Sequence, residues 1–204
     1  MFEIYCVTAR ALCRENFLMR IGQIAQSRVD GLILREKDLP LEEYELLAAQ
    51  TTALCRTYGV RCILHNFPEA ARRLGTEALH LPLSRLREMR PKERAAFSPL
   101  GASCHSVEEV EEAAKLGCTY VTLGHIYPTG CKPDVPPRGL ELLREACRAA
   151  LLPVYAIGGI GPENIASIRE AGAAGACIMS GLMTCADPVE TVKRLRKEAQ
   201  GHAL

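Results

Sequence analysis

The sequence predicts an α/β protein built as a single (β/α)8 TIM barrel over residues 1–204. Three observations carry that expectation. Short apolar runs alternate with longer amphipathic stretches, eight β-then-α units follow one another along the 204 residues, and no Pro/Ser-rich linker or shift in composition divides them. A chain of this length, 48% hydrophobic, suits one domain with one large core. Barrels of this kind usually run to ~250 residues, the smallest near ~200. An open doubly wound sheet is the competing architecture. It calls for G-x-G-x-x-G after the first strand, where Thr8-Ala9-Arg10 stands instead.

Glu3–Thr8 reads as the first strand, and Glu15–Gln26 as a helix with Phe17, Leu18, Ile21 and Ile24 on one face. Gly31–Leu34 is the second strand. The tetrad Arg35-Glu36-Lys37-Asp38 leads from it to a helix through Glu42–Tyr58, with Leu46, Leu47 and Leu54 apolar. Arg61–Leu64 is the third strand, followed by a short helical stretch, Pro68–Leu74. Ala78–Leu81 is the fourth, then a weak basic stretch from Ser84 to Phe97. After the fifth strand, Leu100–Cys104, Ser106 reads as an N-cap, with Glu109 completing a capping box ahead of Val107–Leu116. Tyr120–Leu123 is the sixth strand, ended by Gly124, and Gly139–Ala150 supplies its helix. Pro153–Ile157 is the seventh, ended by Gly158-Gly159, with Pro162 opening the next helix. Ala176–Met179 is the eighth, closed by Ser180-Gly181, and a last helix, Pro188–Ala199, is basic at its end, as the helix dipole favours.

The charges nearly cancel, 25 Lys+Arg against 24 Asp+Glu, so the chain has no general field for nucleic acid or a membrane surface. No apolar run approaches the length of a bilayer span, and the N-terminus carries no signal-peptide pattern. The ten cysteines form no C-x-x-C, and several sit in apolar runs where Cys acts as a small hydrophobe. Free thiols without an export signal imply a reducing cytosol and argue against a structural zinc site. The expectation is a cytoplasmic protein whose partner is a small molecule; any homo-oligomer would form through the helical outside.

Barrels place their sites at the carboxyl ends of the strands. Those positions hold Arg35 and Lys37 after strand two, His65 and Asn66 after strand three, Pro82 after strand four, and Ser103 and His105 at strand five. Strand six is followed by His125, Thr129, Cys131 and Lys132, strand seven by Gly158 and Gly159, and strand eight by Met179, Ser180 and Gly181. A histidine titrates near neutrality and can move protons, and a nearby lysine can hold an anion. Taken alone, His125 is equally a surface-loop histidine, and Arg35 with Lys37 reads first as a solvated charged corner. His80, inside the fourth strand, reads as a packing residue. The loops after strands seven and eight bring bare backbone N–H groups and a helix start together, a combination that binds phosphate. The alternative is that their glycines only shape tight turns. The inferred ligand is a small phosphate ester with its reactive part over the barrel centre, within reach of His125.

The stretches L-R-E-K-D (Leu34–Asp38), G-A-S-C-H-S (Gly101–Ser106), G-H-I-Y-P-T-G-C-K (Gly124–Lys132), A-I-G-G-I (Ala156–Ile160) and I-M-S-G (Ile178–Gly181) together resemble the thiamine-phosphate synthase/TenI family. The resemblance covers essentially the whole chain and implies one of two activities. The synthase branch joins a hydroxymethylpyrimidine diphosphate to a thiazole phosphate and needs Mg²⁺. Its metal is held by an Asp after strand three (N-D) and another after strand four (H-L-G-Q-x-D). A hard cation bridging a diphosphate takes carboxylate oxygens. Here those motifs read Leu64-His65-Asn66-Phe67 and His80-Leu81-Pro82-Leu83-Ser84-Arg85, and both carboxylates are missing.

The resemblance therefore implies the other branch, a thiazole tautomerase of thiamine biosynthesis. It would aromatise a carboxy-methylthiazolylidene ethyl phosphate by moving one proton, with no cofactor and no metal. His125 would carry the proton. Gly158, Gly159, Met179, Ser180 and Gly181 would hold the phosphate, and Arg35, Lys37, Ser103, Thr129 and Lys132 would steer the carboxylate or phosphate. The synthase, and a non-catalytic paralogue that binds a pathway phosphate, remain the alternatives. His65 is open between a second acid/base, a pocket-shaping residue and neutral drift. Cys131 reads as a neutral loop thiol, since an isomerisation needs no nucleophile.

Overall fold

Eight parallel strands follow one another around a closed barrel in chain order, and the last pairs with the first. The computed structural model that shows this describes residues 1–131 and 134–201. The strands are β1 (Glu3–Val7), β2 (Gly31–Leu34), β3 (Arg61–His65), β4 (Leu79–Pro82), β5 (Leu100–Cys104), β6 (Tyr120–Gly124), β7 (Val154–Ile157) and β8 (Gly175–Ile178). Around them lie α1 (Phe17–Gln26), α2 (Leu41–Thr57), α3 (Pro68–Arg73), α4 (Leu83–Glu88), α5 (Pro91–Arg94), α6 (Val107–Lys115), α7 (Gly139–Ala149), α8 (Ile165–Glu170), α9 (Ser180–Met183) and α10 (Pro188–Gln200). The expected TIM barrel is the observed one. No helix of the described residues is long and apolar enough to cross a membrane.

Strand side chains alternate between two faces, and both faces of this sheet are buried. Ile4, Cys6, Leu32, Leu34, Val121, Leu123, Ala156 and Ile178 point outward into the layer shared with the helices. Tyr5, Val7, Ile33, Ile63, Tyr120, Tyr155 and Cys177 fill the barrel interior. The rings of Tyr5, Tyr120 and Tyr155 plug it, with centroids 4.8–6.2 Å apart. Gly101 makes room for this packing: a Cβ there would lie 2.2 Å from Tyr120 Cζ and 2.5 Å from His80 Nδ1. The inward set of each strand, continued upward, faces the barrel mouth, and that geometry selects the residues of the site.

Several local expectations need correction. In α2 the buried face is Tyr44, Ala48, Thr51 and Cys55, while Leu46 is 71% exposed and Leu47 and Leu54 are half-buried. The stretch from Ser84 to Phe97 contains α4 and α5. Pro162 does not open a helix; α8 starts at Ile165, after a turn tied by Asn164, whose amide donates to Gly159 O and accepts from Gly161 N. The capping box at α6 forms by half. Ser106 Oγ accepts from Glu109 N at 3.3 Å, but the Glu109 carboxylate accepts from His105 N rather than Ser106 N.

Candidate active site

The tetrad after β2 sorts its charges by alternation. Glu36 turns inward to the protein and is 3% exposed; it accepts from Thr8 Oγ1 at 2.6 Å and from Arg10 N at 3.0 and 3.1 Å. Thr8 Oγ1 in turn accepts from Arg35 N at 2.9 Å. Burial pushes the Glu36 carboxyl above its ordinary pKa, against the pull of these hydrogen bonds. Asp38 pairs with Arg10 on the outside at 2.8 Å. With both acids drawn away, Arg35 and Lys37 line the cavity at the barrel mouth.

The floor of that cavity is built from neutral polar groups. The His80 ring bridges Tyr120 and Ser103, with Nδ1 3.0 Å from the Tyr120 hydroxyl and Nε2 2.9 Å from Ser103 Oγ. Among the described residues Tyr120 has no other side-chain partner that could accept its proton, so its O–H donates to Nδ1. His80 Nε2–H then donates to Ser103, which leaves the Ser103 proton for a ligand. His65 stacks over His80 with centroids 5.8 Å apart. Its backbone N–H is fixed by the Tyr44 hydroxyl, which accepts it at 2.8 Å and itself donates to Leu34 O at 2.7 Å. His65 Nδ1 is buried and has no partner among the described residues. Burial holds both imidazoles far below the usual histidine pKa, at about 2 for His65 and about 3 for His80. Repulsion from Lys37 adds to both, and from His80 and Arg35 to His65.

The opposite wall comes from β6, β7 and β8. His125 is buried, and its Nε2 donates to Val135 O at 3.0 Å, which fixes the ring under the loop that follows β6. The next residues extend the β6–β7 ladder, Ile126 N to Ile157 O and Tyr127 N to Gly158 O, and Arg138 N closes the loop onto His125 O. Gly158 has φ +99, and a Cβ on it would lie 2.2 Å from the His125 Cβ, so only glycine lets the histidine and this loop meet. In the first turn of α9, the N–H groups of Ser180 and Gly181 have no intrahelical partner. Both residues line the same cavity as Gly158 and Gly159.

The cavity measures about 420 Å³, within the range of small-molecule sites. It brings together ten of the candidate residues: His125, Arg35, Lys37, Ser103, Thr129, Gly158, Gly159, Met179, Ser180 and Gly181. Lys132 lies outside the described residues. Cys131 is an exposed thiol on the cavity rim. His80 is more than the packing residue its strand position suggested, since it lines the cavity and orients Ser103. The sequence did not point to Thr122, which lines the cavity, nor to Tyr44 and Tyr120, which hold His65 and His80 from behind. A signal for His80 existed: it pairs in register with Gly101, which leaves an inward gap that a polar ring can fill.

A family model described as Thiamine monophosphate synthase matches residues 4–182. The chain belongs to this family. It is similar to the thiamine-phosphate synthase of Caldivirga maquilingensis, 34% identical over 194 residues that cover 95% of each chain. The thiamine-phosphate synthase of Desulfitobacterium hafniense is 30% identical over 201 residues, again 95% of each. Among solved structures, the thiamine phosphate pyrophosphorylase from Pyrococcus furiosus superposes with a TM-score of 0.85 at 26% identity, covering 98% of this chain and 96% of that one. These findings overturn the tautomerase expectation, because the full-length relatives of this thiamine monophosphate synthase family member are named as synthases and not as isomerases. That expectation gave the missing metal carboxylates more weight than the rest of the chain.

The donor set still does not fit the metal that the family implies. Among the described residues no three His, Cys, Asp or Glu side chains cluster closely enough to hold an ion. Glu36 is fully engaged behind β2, and both ring nitrogens of His80 are occupied. Magnesium takes octahedral oxygen donors, which neutral imidazoles do not supply.

Proposed function

We propose that this chain is a thiamine-phosphate synthase-type transferase, joining a hydroxymethylpyrimidine diphosphate to a thiazole phosphate with release of pyrophosphate. The observation that carries this reading is a single cavity with two different anion-holding edges. Arg35 and Lys37 stand at the end of β2, and the glycine loops stand at the ends of β7 and β8, on the two sides of β1. Full-length relatives named as thiamine-phosphate synthases support it.

The reaction forms a bond from the thiazole ring nitrogen to the pyrimidine methylene carbon. The bond from that carbon to the diphosphate oxygen breaks, and its electron pair leaves with pyrophosphate. Negative charge builds on the leaving group, so fixed cations at its position lower the barrier. Arg35 and Lys37 take that role. The thiazole phosphate lies on the N–H groups of Gly158, Gly159, Ser180 and Gly181, which turns the ring nitrogen toward the cavity centre. Ser103 offers its proton to an acceptor on a substrate ring. No proton moves when the new bond forms, so His125 serves as the wall that holds the β6 loop against the β7 loop. A cytosolic setting belongs to the same reading and is supported by ten free thiols, six of them buried.

The test is direct incubation of purified protein with both substrates, following thiamine phosphate by chromatography and pyrophosphate by a coupled assay. Equal amounts of the two products are expected. Absence of both at saturating substrate sinks the reading.

A further inference from the structure

A divalent ion shared between a protein and a diphosphate needs hard oxygen donors from the protein, usually carboxylates. Among the described residues the cavity walls offer one carboxylate side chain, Glu109, and it accepts the His105 N–H at 2.5 Å. Glu36, the other nearby acid, turns its oxygens to Thr8 and Arg10. Beside the mouth, the positions that could add donors hold an amide, Asn66, a hydroxyl, Ser84, and a guanidinium, Arg85. The walls carry fixed positive charge instead: Arg35, Lys37 and Arg87. Arg87, on α4, is held by a two-pronged pair with Glu112, both bonds at 2.7 Å, and its side chain is 51% exposed.

We propose that this chain holds the diphosphate with its own cations, Arg35 and Lys37 first among them, and without a bridging divalent metal. The inference deepens the transferase reading above and rests on it for the identity of the ligand. It fixes the sign of the magnesium effect. Where a protein supplies carboxylates, Mg²⁺ joins protein to diphosphate and tightens binding. Where a protein supplies cations, Mg²⁺ in solution competes with them for the same oxygens.

The experiment is calorimetric titration of the full chain with inorganic pyrophosphate, first in EDTA and then in excess Mg²⁺. Binding is expected in EDTA, and excess Mg²⁺ weakens it by ~10-fold or more, since the free anion is depleted by mass action. Equal affinity in both buffers overturns the inference, because cations that compete with Mg²⁺ for the same oxygens must lose affinity when Mg²⁺ is in excess. No binding in EDTA, or tightening by Mg²⁺, overturns it. Arg35→Gln and Lys37→Met are each expected to weaken binding in EDTA by ~10-fold, the loss of a charged hydrogen bond. If both variants fold, as judged by circular dichroism, and both bind as the parent does, the inference is wrong.

Parallel turnover assays separate the two readings. Thiamine phosphate formed only with Mg²⁺ defeats this inference and keeps the transferase. Pyrophosphate bound in EDTA without thiamine phosphate formation in any buffer defeats the transferase and keeps the inference.

Discussion

In the proposed transferase the two edges of the barrel mouth share one task, holding an anion, and are built of opposite materials. The β7–β8 edge uses backbone N–H groups set by glycine and a short helix start, and among the described residues its loops carry no charged side chain into the cavity. The β2–β4 edge uses side chains: two cations over two imidazoles that burial keeps neutral. Backbone donors depend on chain geometry and are indifferent to pH. Side-chain donors depend on charge, and they impose conditions on everything buried beside them. The imidazoles under Arg35 and Lys37 must stay uncharged for the fold to hold those cations there.

Acid therefore separates the edges most strongly. His65 and His80 have folded pKa values of about 2 and about 3 against an ordinary 6.5. Below 6.5 the unfolded chain binds protons that the folded chain refuses, so these groups contribute stability that is complete above that pH and falls as pH drops through it. At pH 5 each costs ~2 kcal/mol relative to neutral pH, ~4 kcal/mol for the pair. Denaturant midpoints measured between pH 7.5 and 5 should show this slope, and His65→Asn should remove about half of it. A parent whose midpoint is flat over that range would mean that the imidazoles are solvated.

Breaking the backbone edge calls for geometry instead. Gly158→Ala places a methyl 2.2 Å from the His125 Cβ at φ +99. Strain of this kind costs ~3 kcal/mol, and the loop must move off His125 to relieve it. Binding of inorganic phosphate to this edge should fall by ~10-fold or more, with no new dependence on pH. Unchanged phosphate affinity in the folded variant would remove the β7 loop from the site.

Tyr120→Phe probes the side-chain edge without touching a ligand group. It leaves His80 Nδ1 buried without its donor, a loss of ~1–2 kcal/mol. The tautomer of His80 is then no longer fixed, and neither is the Ser103 proton. The expected outcome is a fall in kcat of ~10-fold with pyrophosphate affinity intact. Equal losses in both would make Tyr120 a purely structural residue.

The edges also differ in how far they could be read from sequence. Strand positions were legible to within a residue or two, because eight apolar runs of strand length, each followed by a longer amphipathic stretch, leave little freedom. The backbone edge was legible too, since two glycine loops on adjacent strands mark it. At the side-chain edge, the Arg35–Asp38 tetrad looked like a solvated corner. Only the hydrogen bonds from Thr8 and Arg10 to Glu36 show which charges turn away. His80 reads as packing from sequence because its relay partners are distant in sequence, Ser103 and Tyr120 reaching it from two other strands. Tyr44 was hidden by a leucine-rich face of α2 that turned out to be exposed or half-buried. The functional reading failed for a related reason. Two substituted positions, Asn66 and Ser84-Arg85, outweighed the rest of the barrel, although a site that holds its anion with cations can lose metal carboxylates and keep its shape.

The smallest effect is the sharpest check on what the backbone edge is made of. Gly181 has no positive φ, and a Cβ there would lie 3.1 Å from Ile178 Cγ2, close enough to need a shift of a few tenths of an ångström. Alanine also favours the helical turn by up to ~1 kcal/mol over glycine, which offsets that crowding. Its N–H stays where it is. Gly181→Ala should therefore keep phosphate affinity within ~3-fold of the parent and change the melting temperature little. A large loss would show that this edge holds its anion by close approach of the chain, which a methyl blocks, and not by N–H direction alone. The contrast with Gly158→Ala, equal in chemistry and opposite in backbone geometry, then assigns the loss to one cause.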